Sequence, residues 1–183
     1  MNREFYNEVI YLIDKADFSD LNNSLKDSLS YMKGWSLYSV KQLDPSAKEL
    51  LRVSQESPFY YKSRFFAAYN YMHLGDYKIS ENTLDQINVE GNQNLKSLLQ
   101  FEQAGLALMN RNYEQFQQHF KKVDTTYYAI AQESEMLNQY ATDLSTHKPK
   151  SKFLAGLMSA IVPGSGKIYA GKTGEGISSL LTV

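Results

Sequence analysis

Hydrophobic positions recur at helical spacing along most of the chain. Between Ser57 and Asn88, a stretch of aromatic and small residues is interrupted at Gly75-Asp76, and a second amphipathic pattern follows. Glycine tolerates the left-handed conformation that ends a helix, and aspartate is common before the next helix. The pattern therefore predicts two helices joined by a tight turn, each with one apolar face. Because neither face can be buried within one such pair, the pair requires neighbours of the same kind.

The same pattern recurs before and after this stretch. The aromatic residue after the turn, Tyr77, lies 36 residues before Tyr113 and 34 residues after Leu43. Small residues in the first helix and apolar residues at the end of the second helix recur at Gly34, Ala68 and Ala104, and at Val53, Ile87 and Val123. With this order and spacing, the chain resembles the tetratricopeptide repeat, whose period is about 34 residues.

The resemblance covers residues 27–124 and implies an all-α solenoid built from three antiparallel helix pairs. The middle repeat matches the family best, at Ala68, Tyr71, Gly75 and Tyr77. The third repeat departs from it at Arg111, where the family often has glycine. The resemblance also implies a non-enzymatic scaffold, because the first helices of such repeats line a concave groove that binds peptides.

Residues 1–26 are interpreted as a pair of capping helices. The first covers 3–13, and the second carries the stripe Leu21, Leu25 and Leu29. End repeats of solenoids are typically atypical, which favours a capping role. The first repeat then begins with a helix at about 28–41.

A longer helix is expected at 125–146, after the third repeat. Its apolar residues follow one face, and glutamines and glutamates occupy the other. Such a one-sided pattern predicts a helix that closes the solenoid and presents a polar back to water. The same stripe, 127–144, would also serve a coiled coil, so a soluble self-assembling module is an alternative.

The composition changes after residue 146. Residues 147–152 form a basic linker broken by a proline, and 153–183 are apolar and rich in glycine. Residues 168–181 resemble the TM2 family of short membrane hairpins, which implies a membrane-associated segment. The uncharged run at 153–162 is shorter than the roughly twenty residues that span a bilayer, so we expect only part of a hairpin.

The flanking lysines favour a cytoplasmic location for the repeats. If a signal peptide has been removed, the repeats are expected in the periplasm instead. The sequence leaves both locations open.

Charge and residue usage exclude several functions. The chain has 19 basic and 20 acidic residues, so nucleic acid binding has little electrostatic support. It has no cysteine, and its three histidines are scattered, with His73 and His119 expected near solvent-facing positions. Residues 166–173 match the phosphate-loop pattern G-x-x-x-x-G-K-[ST]. No strand pattern precedes them, so a nucleotide hydrolase using Lys172 and Thr173 is only the alternative to a protein without catalytic residues, cofactor or metal.

The predicted working surface is the groove of the first helices. Transferring the family's groove positions gives Tyr31, Trp35 and Tyr38, then Lys62, Phe65, Tyr69, Met72 and His73, then Leu98, Phe101, Leu108 and Met109. This wall is aromatic and nearly uncharged, which suits an apolar or amphipathic helix of a partner protein. Two alternatives are open: the rings fill the space between adjacent helices, or segment 153–183 occupies the groove.

Overall fold

The computed structural model describes residues 3–126 and 128–146, and these residues form helices, turns and loops without a strand. The helices are α1 Arg3–Lys15, α2 Asn23–Ser39, α3 Leu43–Leu50, α4 Tyr60–Leu74, α5 Tyr77–Asp85, α6 Gln93–Met109, α7 Tyr113–Phe120 and α8 Tyr128–Thr146. The predicted linker 147–152 and membrane segment 153–183 lie outside the described residues. None of the eight helices is long and apolar enough to cross a bilayer.

The helices pack in chain order. From α1 to α7 each helix contacts the next, and α4 also contacts α6. One compact unit contains α1–α7 and α8 up to Asn138, and the rest of α8 belongs to a second unit. Sequential packing of helix hairpins of this kind is compatible with an α-solenoid.

The helices form three pairs, α2 with α3, α4 with α5, and α6 with α7, and the turns inside these pairs share one backbone geometry. Lys41, Gly75 and Arg111 follow the first helix of each pair and have positive φ angles of 69°, 83° and 56°. The next residue donates its N–H to the carbonyl five positions back, from Gln42 to Leu37 (2.9 Å), Asp76 to Tyr71 (2.9 Å) and Asn112 to Ala107 (2.8 Å). These bonds satisfy carbonyls that the helix end leaves free. The third turn therefore keeps the geometry at Arg111 without a glycine.

In each pair, a hydrogen bond also joins the early part of the first helix to the loop that follows the second helix, 27 residues further along the chain. The bonds are Ser54 N–H to Asp27 Oδ1 (3.0 Å), Tyr61 Oη to the Asn88 carbonyl (3.0 Å) and Asp124 N–H to Ser97 Oγ (2.7 Å). The chemistry differs in the three pairs, but the positions advance by 34 and then 36 residues. The contacts therefore recur with the spacing seen in the sequence.

The close approach of α2 and α3 depends on Gly34. A Cβ atom at this position would lie 2.6 Å from Leu50 Cγ and 2.8 Å from Leu50 Cδ2. Ser46 Oγ donates to the Gly34 carbonyl (2.7 Å), and Ser80 Oγ donates to the Ala68 carbonyl (2.8 Å) in the next pair. In the third pair the position equivalent to these serines is the buried Phe116. A serine hydroxyl thus hydrogen-bonds the second helix to the first in the first two pairs, whereas a buried phenylalanine occupies this position in the third.

The N-terminal cap differs from the prediction of two helices in residues 1–26. Only α1 precedes the first pair, and the predicted second helix is the beginning of α2. The Asn22 side chain accepts from Leu25 N–H (2.9 Å) and so caps α2 at its start. No proline lies between Leu25 and Trp35, and Gly34 stands inside α2 at its close contact with α3. Leu25 and Leu29 therefore belong to the same helix as Trp35, and Leu21 precedes that helix.

Helix α8 occupies the segment for which a closing role was predicted. Ser134 is buried and Leu137 is half-buried, whereas the glutamines and glutamates of the other face are exposed. Leu144 of the predicted stripe is exposed, and the closing role of α8 stays a prediction. Self-association through its stripe stays a prediction.

Candidate peptide-binding groove

Interlocked aromatic rings join α2 to α4. The Trp35 ring meets Phe66 edge to face at 4.9 Å, and Tyr38 lies 5.6 Å from Phe66 and 6.1 Å from Tyr69. All four side chains are half-buried, so each keeps some surface in contact with solvent. Edge-to-face pairs at such distances are favourable and hold each ring in one orientation. We call this arrangement the α2–α4 seam.

The N-terminal end of the groove is lined by α1. A cavity of about 280 Å³ lies among Phe5, Tyr6 and Val9 of α1 and Tyr31, Met32, Trp35 and Ser36 of α2. Tyr31 is also stacked on Phe59 at 4.5 Å, just before α4 begins. Trp35 and Tyr31 therefore contact neighbouring helices as well as solvent.

Between α4 and α6 the groove contains an open cavity instead of interlocked rings. This cavity, of about 230 Å³, is lined by Lys62, Phe65, Phe66, Tyr69, Leu98 and Glu102. We call it the α4–α6 cavity.

The repeat register explains the difference. Advancing 36 residues from Phe66 and Tyr69, which seal the α2–α4 seam, gives Glu102 and Gly105. A Cβ atom built on Gly105 would meet no atom within 4 Å. The third pair therefore lacks the two rings that would fill this space.

Glu102 is the unusual member of the cavity. It is half-buried, and among the described residues its carboxylate has neither a hydrogen bond nor an ion pair. Burial raises the pKa of Glu102 from 4.5 to about 7, because the charged form loses its hydration. Burial likewise raises the pKa of Tyr69, and the nearby Glu102 adds to the effect. The cavity thus combines three aromatic rings with a carboxyl group whose pKa lies near neutral pH.

Most predicted groove residues lie on the accessible face. Half-buried are Tyr31, Trp35, Tyr38, Phe65, Tyr69, Leu98 and Phe101, and exposed are Lys62, His73 and Met109. Met72 and Leu108 are corrections, since both are only 5% exposed and belong to the interior. Met72 packs in one apolar cluster with Leu84 of α5 and Leu106 of α6, a burial that family positions alone do not reveal.

Sequence reasoning missed Phe66 and Glu102. Both directly follow a predicted groove residue, at positions that the family's groove positions do not include. Both residues would have been found by transferring every exposed position of one first helix to the next at the repeat spacing, instead of only the family's groove positions.

One histidine also departs from the prediction. His119 is half-buried, with Nδ1 at 3.1 Å from Gln100 Oε1, whereas His73 is exposed as expected. Burial, with the nearby Lys122 cation, lowers the pKa of His119. Described residues contain no cluster able to hold a metal ion. The phosphate-loop-like residues 166–173 lie outside them.

No protein-family model, curated protein or solved structure matches this chain. The internal recurrence of turns, closing hydrogen bonds and small-residue contacts therefore supports a helical repeat architecture.

Proposed function

We propose that residues 27–124 form a tetratricopeptide-like α-solenoid that acts as a non-enzymatic protein-interaction module. An apolar or amphipathic segment of a partner protein binds along α2, α4 and α6. The observation that carries this proposal is the run of half-buried rings that crosses from α2 to α4 and continues into the α4–α6 cavity. Helix-in-groove recognition uses such apolar faces.

The extent of the surface favours a peptide over a small molecule. The rings are distributed over three helices, and the α4–α6 cavity of about 230 Å³ is smaller than the roughly 300–1,000 Å³ typical of small-molecule pockets. A partner segment contacts several shallow sites at once, which a compact ligand cannot do.

The ring contacts also lower the entropic cost of binding. Trp35, Tyr38 and Tyr69 are already held against neighbouring rings or His73 at 4.2–6.1 Å. Binding therefore immobilises few additional side-chain torsions. Aromatic anchors of this kind typically contribute about 2 kcal/mol or more each when truncated.

We further propose that segment 153–183 tethers the module to a membrane. The support is the apolar sequence of that segment and its resemblance to short membrane hairpins. The lysines of 147–152 favour the cytoplasmic side for the repeats, with the periplasm as the alternative. Membrane fractionation with protease protection of the repeats distinguishes these locations, and recovery only in the soluble fraction contradicts the tether.

The binding proposal is tested by site-specific photo-crosslinking in the source cells. A photoreactive amino acid replaces Lys62, which is exposed at the groove, or Ile79, which is exposed on α5. We expect a discrete protein adduct from position 62 and none of that mass from position 79. Identical adducts from both positions, or none from position 62, contradict the proposal.

A pair of variants then links the adduct to the rings. Trp35→Ala combined with Tyr69→Ala is expected to abolish the adduct from position 62. Phe101→Ala, on α6, is the second variant and is expected to weaken it. Circular dichroism and thermal unfolding identify the variants that keep the fold. An unchanged adduct in a folded variant overturns the proposal.

A further inference from the structure

The α4–α6 cavity places a carboxylate without a partner among aromatic rings. Phe65, Phe66 and Tyr69 line it from α4, and Glu102 lines it from α6. An ionised carboxylate in such surroundings is unfavourable unless a cation compensates it. Aromatic faces attract cations as well, so the rings and the carboxylate select the same kind of group.

We propose that the α4–α6 cavity binds one arginine side chain of the partner segment, with its guanidinium between the rings and the Glu102 carboxylate. This inference rests on the proposed function and specifies what its partner must contain. It predicts an apolar segment with a single arginine, rather than a uniformly apolar helix.

The size and chemistry of the cavity both favour arginine. A volume of about 230 Å³ admits a side chain rather than a whole ligand. A guanidinium is planar, stacks on aromatic rings and is more weakly hydrated than an ammonium group. It also presents a fork of N–H donors that matches a carboxylate. An anionic group would be repelled by the ionised Glu102 carboxylate. A neutral group would leave the charge of that carboxylate uncompensated.

Lys62 does not fill this role itself. Its side chain is exposed, and no ion pair joins it to Glu102. A like charge close to the cavity opposes an incoming cation, although exposed charges interact weakly. We therefore expect Lys62→Gln to strengthen arginine binding by about twofold.

The test is an NMR titration of the full chain with N-acetyl-arginine amide. N-acetyl-citrulline amide is the matched probe, because citrulline has nearly the same shape and no charge. Resonances of the Phe65, Phe66 and Tyr69 rings report binding. We expect the arginine probe to bind at least about tenfold more tightly than the citrulline probe, since hydrogen bonds to charged groups are the stronger kind.

Glu102→Gln is the deciding variant. It keeps the size of the side chain and is expected to bind both probes equally. Glu90→Gln, exposed in the loop between α5 and α6, removes the same charge outside the cavity and is expected to retain the tenfold preference. Equal binding of both probes by the unchanged chain, absence of ring shifts, or a preference that survives Glu102→Gln overturns the inference.

The pH profile is an additional readout. Ionisation of Glu102 increases through neutral pH, so arginine affinity is expected to rise between about pH 6 and pH 8. Lys62 and Tyr69 are the other titratable groups that line the cavity, and His73 stacks on Tyr69. Because histidines also change charge near neutral pH, His73→Asn is compared, and a rise lost in this variant but kept in Glu102→Gln contradicts the inference.

Failure of this inference is distinguishable from failure of the proposed function. If Glu102→Gln leaves the adduct from position 62 unchanged while Trp35→Ala with Tyr69→Ala removes it, the groove binds a partner without an arginine contact. If neither change affects the adduct, the groove itself is not the binding surface.

Discussion

The two gaps between successive first helices differ in what fills them. In the α2–α4 seam, Phe66 and Tyr69 interlock with Trp35 and Tyr38 at 4.9–6.1 Å. At the α4–α6 cavity, the equivalent positions are Glu102 and Gly105, which leave about 230 Å³ open. The turns and closing hydrogen bonds are nevertheless repeated on both sides. Two side chains, rather than the backbone, therefore decide whether a gap is filled or open.

Truncating the ring that seals the first gap is expected to have the largest effect. Phe66 contacts Trp35 and Tyr38, so Phe66→Ala removes ring contacts and buried area together. Core phenylalanines lose about 3–5 kcal/mol on such truncation, and for this half-buried ring we expect about 2–3 kcal/mol. Leu98→Ala, beside the already open cavity, is expected to lower the free energy of unfolding by only about 1 kcal/mol. Equal losses in denaturant unfolding would mean that the two gaps do not differ energetically.

The second prediction concerns the pH dependence of stability. The folded pKa of Glu102, about 7, exceeds its ordinary value of 4.5, so the folded chain binds more protons between these values. Stability therefore falls as pH rises from about 4.5 to 7 and stays lower above that range. Since one pKa unit corresponds to about 1.4 kcal/mol and the side chain is partly exposed, we expect a decrease of about 1–3 kcal/mol.

Glu102→Gln is expected to remove this decrease, whereas Glu90→Gln retains it. The lowered pKa of His119 acts in the opposite direction, because a folded state that favours neutral histidine gains stability as pH rises. This contribution is common to all variants and cancels in the comparison. Parallel pH profiles for the wild type and Glu102→Gln in denaturant unfolding contradict the assignment.

The third prediction uses the empty side of α6. Gly105→Ala adds a methyl group where no atom lies within 4 Å, and it replaces the poorer helix former in a helix interior. We expect a gain of about 1 kcal/mol in the free energy of unfolding. Gly34→Ala is the matched contrast, because its Cβ would lie 2.6 Å from Leu50, and it is expected to be destabilising. A loss of stability in Gly105→Ala would contradict the open space beside this position.

The smallest expected effect concerns the turns of the helix pairs, and it tests whether their backbone geometry is the same. Lys41 and Arg111 adopt positive φ angles that favour glycine, as Gly75 does. Lys41→Gly and Arg111→Gly are each expected to stabilise the chain by about 0.5 kcal/mol, because relief of strain exceeds the added entropy of the unfolded chain. Gly75→Ala is expected to lose about 1 kcal/mol. Thermal unfolding measures all three, and destabilisation by either glycine would contradict a shared turn geometry.

Much of the helical order was predictable because local patterns specify it. The break at Gly75-Asp76 and the helical pattern of α8 depend on residues close in the sequence, and the 34- and 36-residue spacings arise because one local pattern recurs. The start of α2 was misplaced because the Asn22 cap resembles any polar loop residue until its bond to Leu25 is seen. The closing pairs, such as Asp27 with Ser54, join residues 27 apart through different chemistry each time. No residue pattern identifies such a position.

The amino-acid sequence by itself determined the helical class, the repeat spacing and the aromatic character of the first helices, because each follows from local residue patterns and from their recurrence along the chain. Only the tertiary structure decided which of those rings interlock, that Met72 and Leu108 are interior, and that Glu102 lines an open cavity. The physical reason is that exposure and pKa depend on atoms brought together from helices about 36 residues apart. Side-chain type specifies what a residue can do, and its neighbours in space decide whether it does so.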